Sequence, residues 1–126
     1  MLPEESHPHL GEPMIGKRHL AEITEIRDNI LYAVNDRGWE LQHWDQGVLD
    51  TYEWSLGTRD HSPITHRPST GHPSPTDLAR EDDAAYEELR FGADPHRQTY
   101  ANGVQHATMW LRGQTDSQPW SLWIRS

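Results

Sequence analysis

Nine histidines occur in this chain of 126 residues, and three of them, His61, His66 and His72, fall in one short stretch. Three imidazoles on a loop could hold Zn²⁺ or Ni²⁺ with Asp60 as a fourth ligand, since both metals accept neutral imidazole nitrogen and carboxylate oxygen. The spacings are not those of a metalloprotease helix, which sets two histidines four residues apart around a glutamate. Solvated loop histidines are the ordinary alternative, and no cofactor is expected. Imidazoles also titrate near neutrality, which leaves a pH-sensing role open. Other chemistries lack their residues, and no catalytic residue is assigned. No Gly-x-Ser-x-Gly elbow presents a nucleophilic serine, and there is neither a Gly-Lys-Ser/Thr phosphate loop nor a dinucleotide fingerprint. Cysteine is absent, which removes disulfides, thiolate metal sites and thiol nucleophiles together.

Carboxylates and aromatics are the other chemical resource. Glu81, Asp82, Asp83, Glu87 and Glu88 crowd one stretch of predicted helix. Adjacent acids on a polar helix ordinarily form a solvated face, and such a face can receive a basic partner or imitate DNA phosphates. A full DNA mimic needs a longer row of carboxylates. The apolar fraction is only 33% and the mean hydropathy is -0.92. The six tryptophans (Trp39, Trp44, Trp54, Trp110, Trp120 and Trp123) must therefore supply much of the core, each burying about 150–250 Å². Tryptophan is also enriched at binding hot spots, and Trp120 and Trp123 are assigned with the acidic helix to a partner-binding surface.

Charge narrows the partners. Twenty acidic residues against eleven basic ones give a formal net charge of -9, which phosphate backbones repel. The basic residues sit singly apart from Lys17-Arg18, so no direct nucleic-acid contact is expected and a protein partner is. No apolar run approaches the ~18 residues of a membrane span, and the N-terminus is polar and acidic. A cytoplasmic setting without membrane contact follows as an expectation. Ten of the eleven basic residues are arginine, and arginine codons are GC-rich, which points to a high-GC genome.

The elements that must position these residues are read from period and punctuation. Residues 1–13 carry three prolines and no apolar period, and are read as a flexible tail before a single domain over 14–126, with Met14 as an alternative start. Leu20, Ile23, Ile26, Ile30, Leu31 and Val34 form one helical stripe, predicting a helix from about 17 to 34, and Asn35-Asp36-Arg37-Gly38 reads as its stop. A rival β-hairpin pairs 30–34 with 39–44 across the same turn; the long period favours the helix. Residues 58–76 hold four prolines and read as a loop between units 17–57 and 77–113. A helix follows from an N-cap at Thr76 or Asp77, carrying Leu78, Ala85, Tyr86 and Leu89 and stopping near Gly92. Another starts at Asp94-Pro95 and ends at Gly113. The tail 119–124 alternates and reads as an edge strand or extended arm.

Two stretches match at an offset of 56 residues. Trp44, Gly47, Val48, Trp54, Gly57, Asp60 and Pro63 recur as Tyr100, Gly103, Val104, Trp110, Gly113, Asp116 and Pro119. Positions 44, 48, 51 and 54 share a helical face, as do 100, 104, 107 and 110. The first glycine of each copy costs about 1 kcal/mol in a helix interior, which predicts close approach of another backbone there. The second is placed to end the helix and turn the chain. The fold class is therefore mainly α: a small helical domain of two pseudo-repeated helical units, with a minor hairpin or C-terminal arm.

The phrase Tyr-x-x-Gly-Val-x-x-Ala-x-x-Trp-x-x-Gly, followed by Asp and Pro, resembles helices in small uncharacterised proteins of actinobacteria and actinobacteriophages. The resemblance covers about twenty residues of each copy, and it implies a source and an accessory role without any catalytic residue. The expected function is a non-enzymatic protein-interaction module, phage-encoded, that binds a host protein or virion component. The alternatives are an acidic inhibitor of a nucleic-acid-handling enzyme and a metal-binding protein or enzyme using His61, His66 and His72.

Overall fold

The computed structural model describes residues 13–69 and 71–120. Among these, a two-stranded antiparallel hairpin, β1 (Met14–Ile15) and β2 (Arg18–His19), precedes four helices: α1 (Leu20–Arg37), α2 (His43–Ser55), α3 (Pro75–Phe91) and α4 (Pro95–Leu111). The described residues are mainly helical with one small hairpin. Residues 1–12, Trp123 and the rest of the arm beyond Trp120 lie outside the described residues.

Each helix begins where local chemistry satisfies its free amides. Glu22 accepts the His19 N–H at 2.9 Å and Asp45 accepts that of Gln42 at 3.1 Å, so the cap residues of α1 and α2 each stand three residues before an acid, where the helix end is positive. The Ser74 hydroxyl accepts the Asp77 N–H and the Asp77 carboxylate accepts the Ser74 N–H, with Pro75 in the first turn of α3. The cap is Ser74, not Thr76 or Asp77; the reciprocal bond pair, together with a proline that gives up no useful N–H, fixes the start two residues earlier. Asp94 caps α4 through the His96 N–H, with Pro95 following.

The predicted first helix starts at Leu20 rather than 17. Residues 17–19 are held instead by the hairpin and by α4: the Lys17 N–H donates to the Leu111 carbonyl at 2.7 Å, and the Arg18 guanidinium donates to the Trp110 and Thr115 carbonyls at 2.8 Å each. Arg18 also stacks on the Trp110 ring at 4.5 Å. A cation on the last carbonyls of a helix complements their partial negative charge. The rival hairpin over 30–44 does not form. The α1 helix runs through Arg37, and Gly38 closes it with φ of 71°.

The largest helix pairing joins α2 to α4, and it is parallel. Their first turns meet where the His43 and His96 rings lie 4.5 Å apart, and their last turns meet where Tyr52 packs edge-on against Trp110. Between these contacts the two repeat glycines cross reciprocally. A Cβ on Gly47 would collide with the Tyr100 carbonyl, and one on Gly103 with the Trp44 carbonyl. The expected close backbone approach is therefore present, and each glycine meets the aromatic position that opens the other copy. The closing glycines match too, with φ of 82° at Gly57 and 77° at Gly113. Outside this pair the units diverge, since α3 packs along α4 far more than α1 does along α2.

One main core collects Ile15, Ile23, Ile26, Ile30, Val48, Tyr52, Trp54, Leu78, Trp110 and Trp120, and a smaller cluster of Ala85, Ala101 and Val104 seals α3 against α4. Trp39 and Trp44 pack against its edge. Five of the six tryptophans thus line the interior, and the sixth, Trp123, lies beyond the described residues. No described helix is long and apolar enough to cross a membrane.

Candidate functional site

The acidic run on α3 divides by helical phase. Successive residues on a helix point about 100° apart, and Leu78, Asp82, Ala85 and Leu89 form the stripe that faces α4 and the core. Glu81 and Asp82, expected on a partner-binding surface, are instead 1% and 7% exposed. Glu81 accepts the Ile64 and Thr65 N–H groups at 2.7 and 2.9 Å and the Thr65 hydroxyl at 2.9 Å. It thereby ties the proline-rich loop onto the helix. Asp82 accepts from Arg112 at 2.5 Å and from Gln105 at 3.3 Å. Glu88 is half-buried and faces Arg97 at 3.4 Å. Only Asp83 and Glu87 stand fully outward from the set. Trp120 is 1% exposed, and its indole N–H donates to the Asn29 carboxamide oxygen at 2.9 Å. It is a core residue, because that bond satisfies the polar end of a ring whose remaining surface is best kept from water.

The outward face of α3 carries more than acids. Tyr86 is 47% exposed and Phe91, the chain's one phenylalanine, is 76% exposed. The Arg90 guanidinium lies 5.5 Å from the Tyr86 ring centre and 5.4 Å from that of Phe91, and it donates to the Tyr86 hydroxyl at 2.7 Å. Two exposed rings are thus bridged by one cation and flanked by Asp83 and Glu87. Tyr86 belongs to this surface and not to the core stripe with which the apolar period grouped it. The signal was present in the sequence: 86 and 90 are four apart, out of phase with 78, 82, 85 and 89. Among the other exposed large apolar side chains, Met14 and Tyr32 carry no such bridge.

The described part of the loop over 58–74 is built and not merely irregular. His61 and Pro68 form a bridge, and the Ser62 and Thr65 hydroxyls bond at 2.7 Å. A cavity of about 220 Å³ lies under it, walled by Trp54, Arg67, His72, Asp77 and Arg80 among others. Most of its polar walls are engaged with one another: His72 Nδ1 meets the Ser55 carbonyl at 2.9 Å, and Arg80 donates to Asp77 at 2.9 Å. His61, His66 and His72 do not converge. His61 and His66 line a shallow concavity with Arg59 and Asp60, while His72 belongs to the cavity wall. No group of three histidine, aspartate or glutamate side chains is placed to hold a metal among the described residues.

A second imidazole cluster, unmarked by sequence spacing, forms at the paired first turns of α2 and α4. His43, His66 and His96 surround a concavity of about 280 Å³ with Arg59, Arg97, Pro63 and Tyr100. The Tyr100 hydroxyl donates to Asp50 at 2.6 Å. Burial, and then that bond to a carboxylate, push its pKa far above the usual tyrosine value. The phenol is therefore a fixed donor. No family model matches this chain, and neither do curated proteins or solved structures.

Proposed function

We propose that this protein is a non-enzymatic interaction module that docks a protein partner on the outward face of α3. The carrying observation is the contiguous Tyr86–Arg90–Phe91 surface, with Phe91 76% exposed. Isolated apolar side chains on a surface are ordinary, whereas aromatics and arginine gathered in one patch have the composition of a binding hot spot. Asp83 and Glu87 beside them set the charge of the partner. It presents an apolar side chain for the Phe91–Tyr86 surface, flanked by lysine or arginine. With an overall charge of -9, long-range attraction also favours a basic partner. A host protein or virion component of an actinobacterium or its phage is the setting the sequence resemblance implies.

The inhibitor alternative has less support. A phosphate mimic needs carboxylates in an exposed row, and of the six on α3 two are buried and two more pair with arginine.

The test is selection of displayed peptides against the whole chain, with counter-selection against a Tyr86→Ala/Phe91→Ala variant. Enrichment of peptides with an apolar centre between basic residues, lost on the variant, supports the reading. Peptides that bind chain and variant equally refute it.

A further inference from the structure

The cleft at the first turns of α2 and α4 concentrates positive and protonatable groups on an otherwise acidic protein. His43, Arg59, His66, His96 and Arg97 line it, and an adjoining concavity sharing Arg59 and His66 adds His61. Because α2 and α4 run parallel, their positive ends open on the same side and reinforce this field.

The carboxylate pairing of these arginines is loose, although the Arg59 Nε–H also donates to the His61 carbonyl at 3.1 Å. Among the described residues the two longest ion pairs are Arg59–Asp50 at 3.5 Å and Arg97–Glu88 at 3.4 Å, whereas the pairs of Arg27, Arg80 and Arg112 lie at 2.9 Å or less. Charge-assisted bonds settle near 2.7–2.9 Å. Asp50 also accepts from Gln46 at 2.8 Å and from Tyr100 at 2.6 Å, so its charge is shared among three donors. Three further carboxylates lie on neighbouring elements. Asp45 caps Gln42, Asp94 caps His96, and Asp60 lies in the adjoining concavity. His66 adopts a φ of 56°, a left-handed conformation that histidine enters more readily than most non-glycine residues.

We propose that this cleft binds a tetrahedral oxyanion, the phosphate group, between the guanidinium groups of Arg59 and Arg97 and the imidazoles of His43, His66 and His96. Two forked guanidiniums suit the several oxygens of phosphate. The volume of about 280 Å³ fits an oxyanion or a small ester, not a large ligand. The His43 and His96 rings lie 4.5 Å apart, tilted at 41°, and their ring N–H groups can add donors to those of the guanidiniums.

The experiment is a ¹H–¹⁵N NMR titration of the full chain with inorganic phosphate at constant ionic strength near neutral pH. Saturable shifts at residues 43, 59, 66, 96 and 97 are expected. The Arg97 side chain is 55% exposed, so Arg97→Gln should leave the fold intact and weaken binding by about ten-fold, the loss of one charge-assisted bond. Arg80→Gln, in the other cavity, should leave it unchanged. Sulfate, a tetrahedral oxyanion of similar size, should compete with phosphate at the same residues. Phosphoserine separates the sources: tighter binding than inorganic phosphate marks a monoester as the ligand, and weaker binding marks the free ion. Shifts that do not saturate, or that survive unchanged in a His96→Gln/Arg97→Gln variant, overturn the proposal.

Discussion

Glu81 places a carboxylate in the interior of an acidic helix, and its three donors come from a loop sixteen to seventeen residues earlier in the chain. A buried carboxylate is tolerated when several donors face it, and leaving those donors unmatched is costly. Glu81→Gln keeps the shape but turns an amide N–H₂ toward donors. It is expected to cost about 2–3 kcal/mol in urea denaturation and to speed amide exchange at Ile64 and Thr65; an unchanged midpoint would contradict the assignment. The inward turn of its neighbour was legible, because Asp82 shares the phase of Leu78, Ala85 and Leu89. That of Glu81 was not, since it depends on where the loop packs. Trp120 was misplaced for a similar reason: its burial rests on Asn29, ninety-one residues away.

The crossing of α2 and α4 was the element most fully written in the sequence. A glycine three residues after an aromatic, twice, at one offset, located the point where two backbones meet. Which backbone each would meet was not written, because pairing is a tertiary choice. The sign of a substitution tests it. Glycine to alanine in an open helix stabilises by about 1 kcal/mol, but here the new methyl would strike a carbonyl. Gly47→Ala and Gly103→Ala are each expected to destabilise, by about 1–3 kcal/mol, and a gain in either would contradict the crossing. The start of α3 gives a second test. Ser74→Ala should cost about 1 kcal/mol. The Asp77 pKa is held below its usual value, chiefly by the Ser74 N–H and also by Arg80. The contribution of Asp77 to stability is thus complete above the ordinary aspartate range and declines as pH falls through its lowered pKa. Asp77→Asn should flatten the acid limb of the stability–pH profile; an unaltered limb would contradict this account.

The whole molecule separates its charges. Acid dominates the total at -9, yet Arg59, Arg97 and the imidazoles of His43, His66 and His96 gather in one cleft, while Asp83 and Glu87 flank exposed rings on α3. A net charge cannot report such a partition. That is why the composition pointed to a partner class while the three loop histidines drew attention away from His43 and His96, which only the parallel helix pairing brings together. Phe91 is the most exposed side chain of the proposed docking surface. Calorimetric titration of a selected basic-flanked apolar peptide into the wild-type chain and into Phe91→Ala, at low and high salt, tests it most directly. The account predicts at least ten-fold weaker binding to Phe91→Ala with an unchanged melting temperature, and weaker binding of wild type at high salt as Asp83 and Glu87 are screened. Equal affinity for the two chains would contradict it.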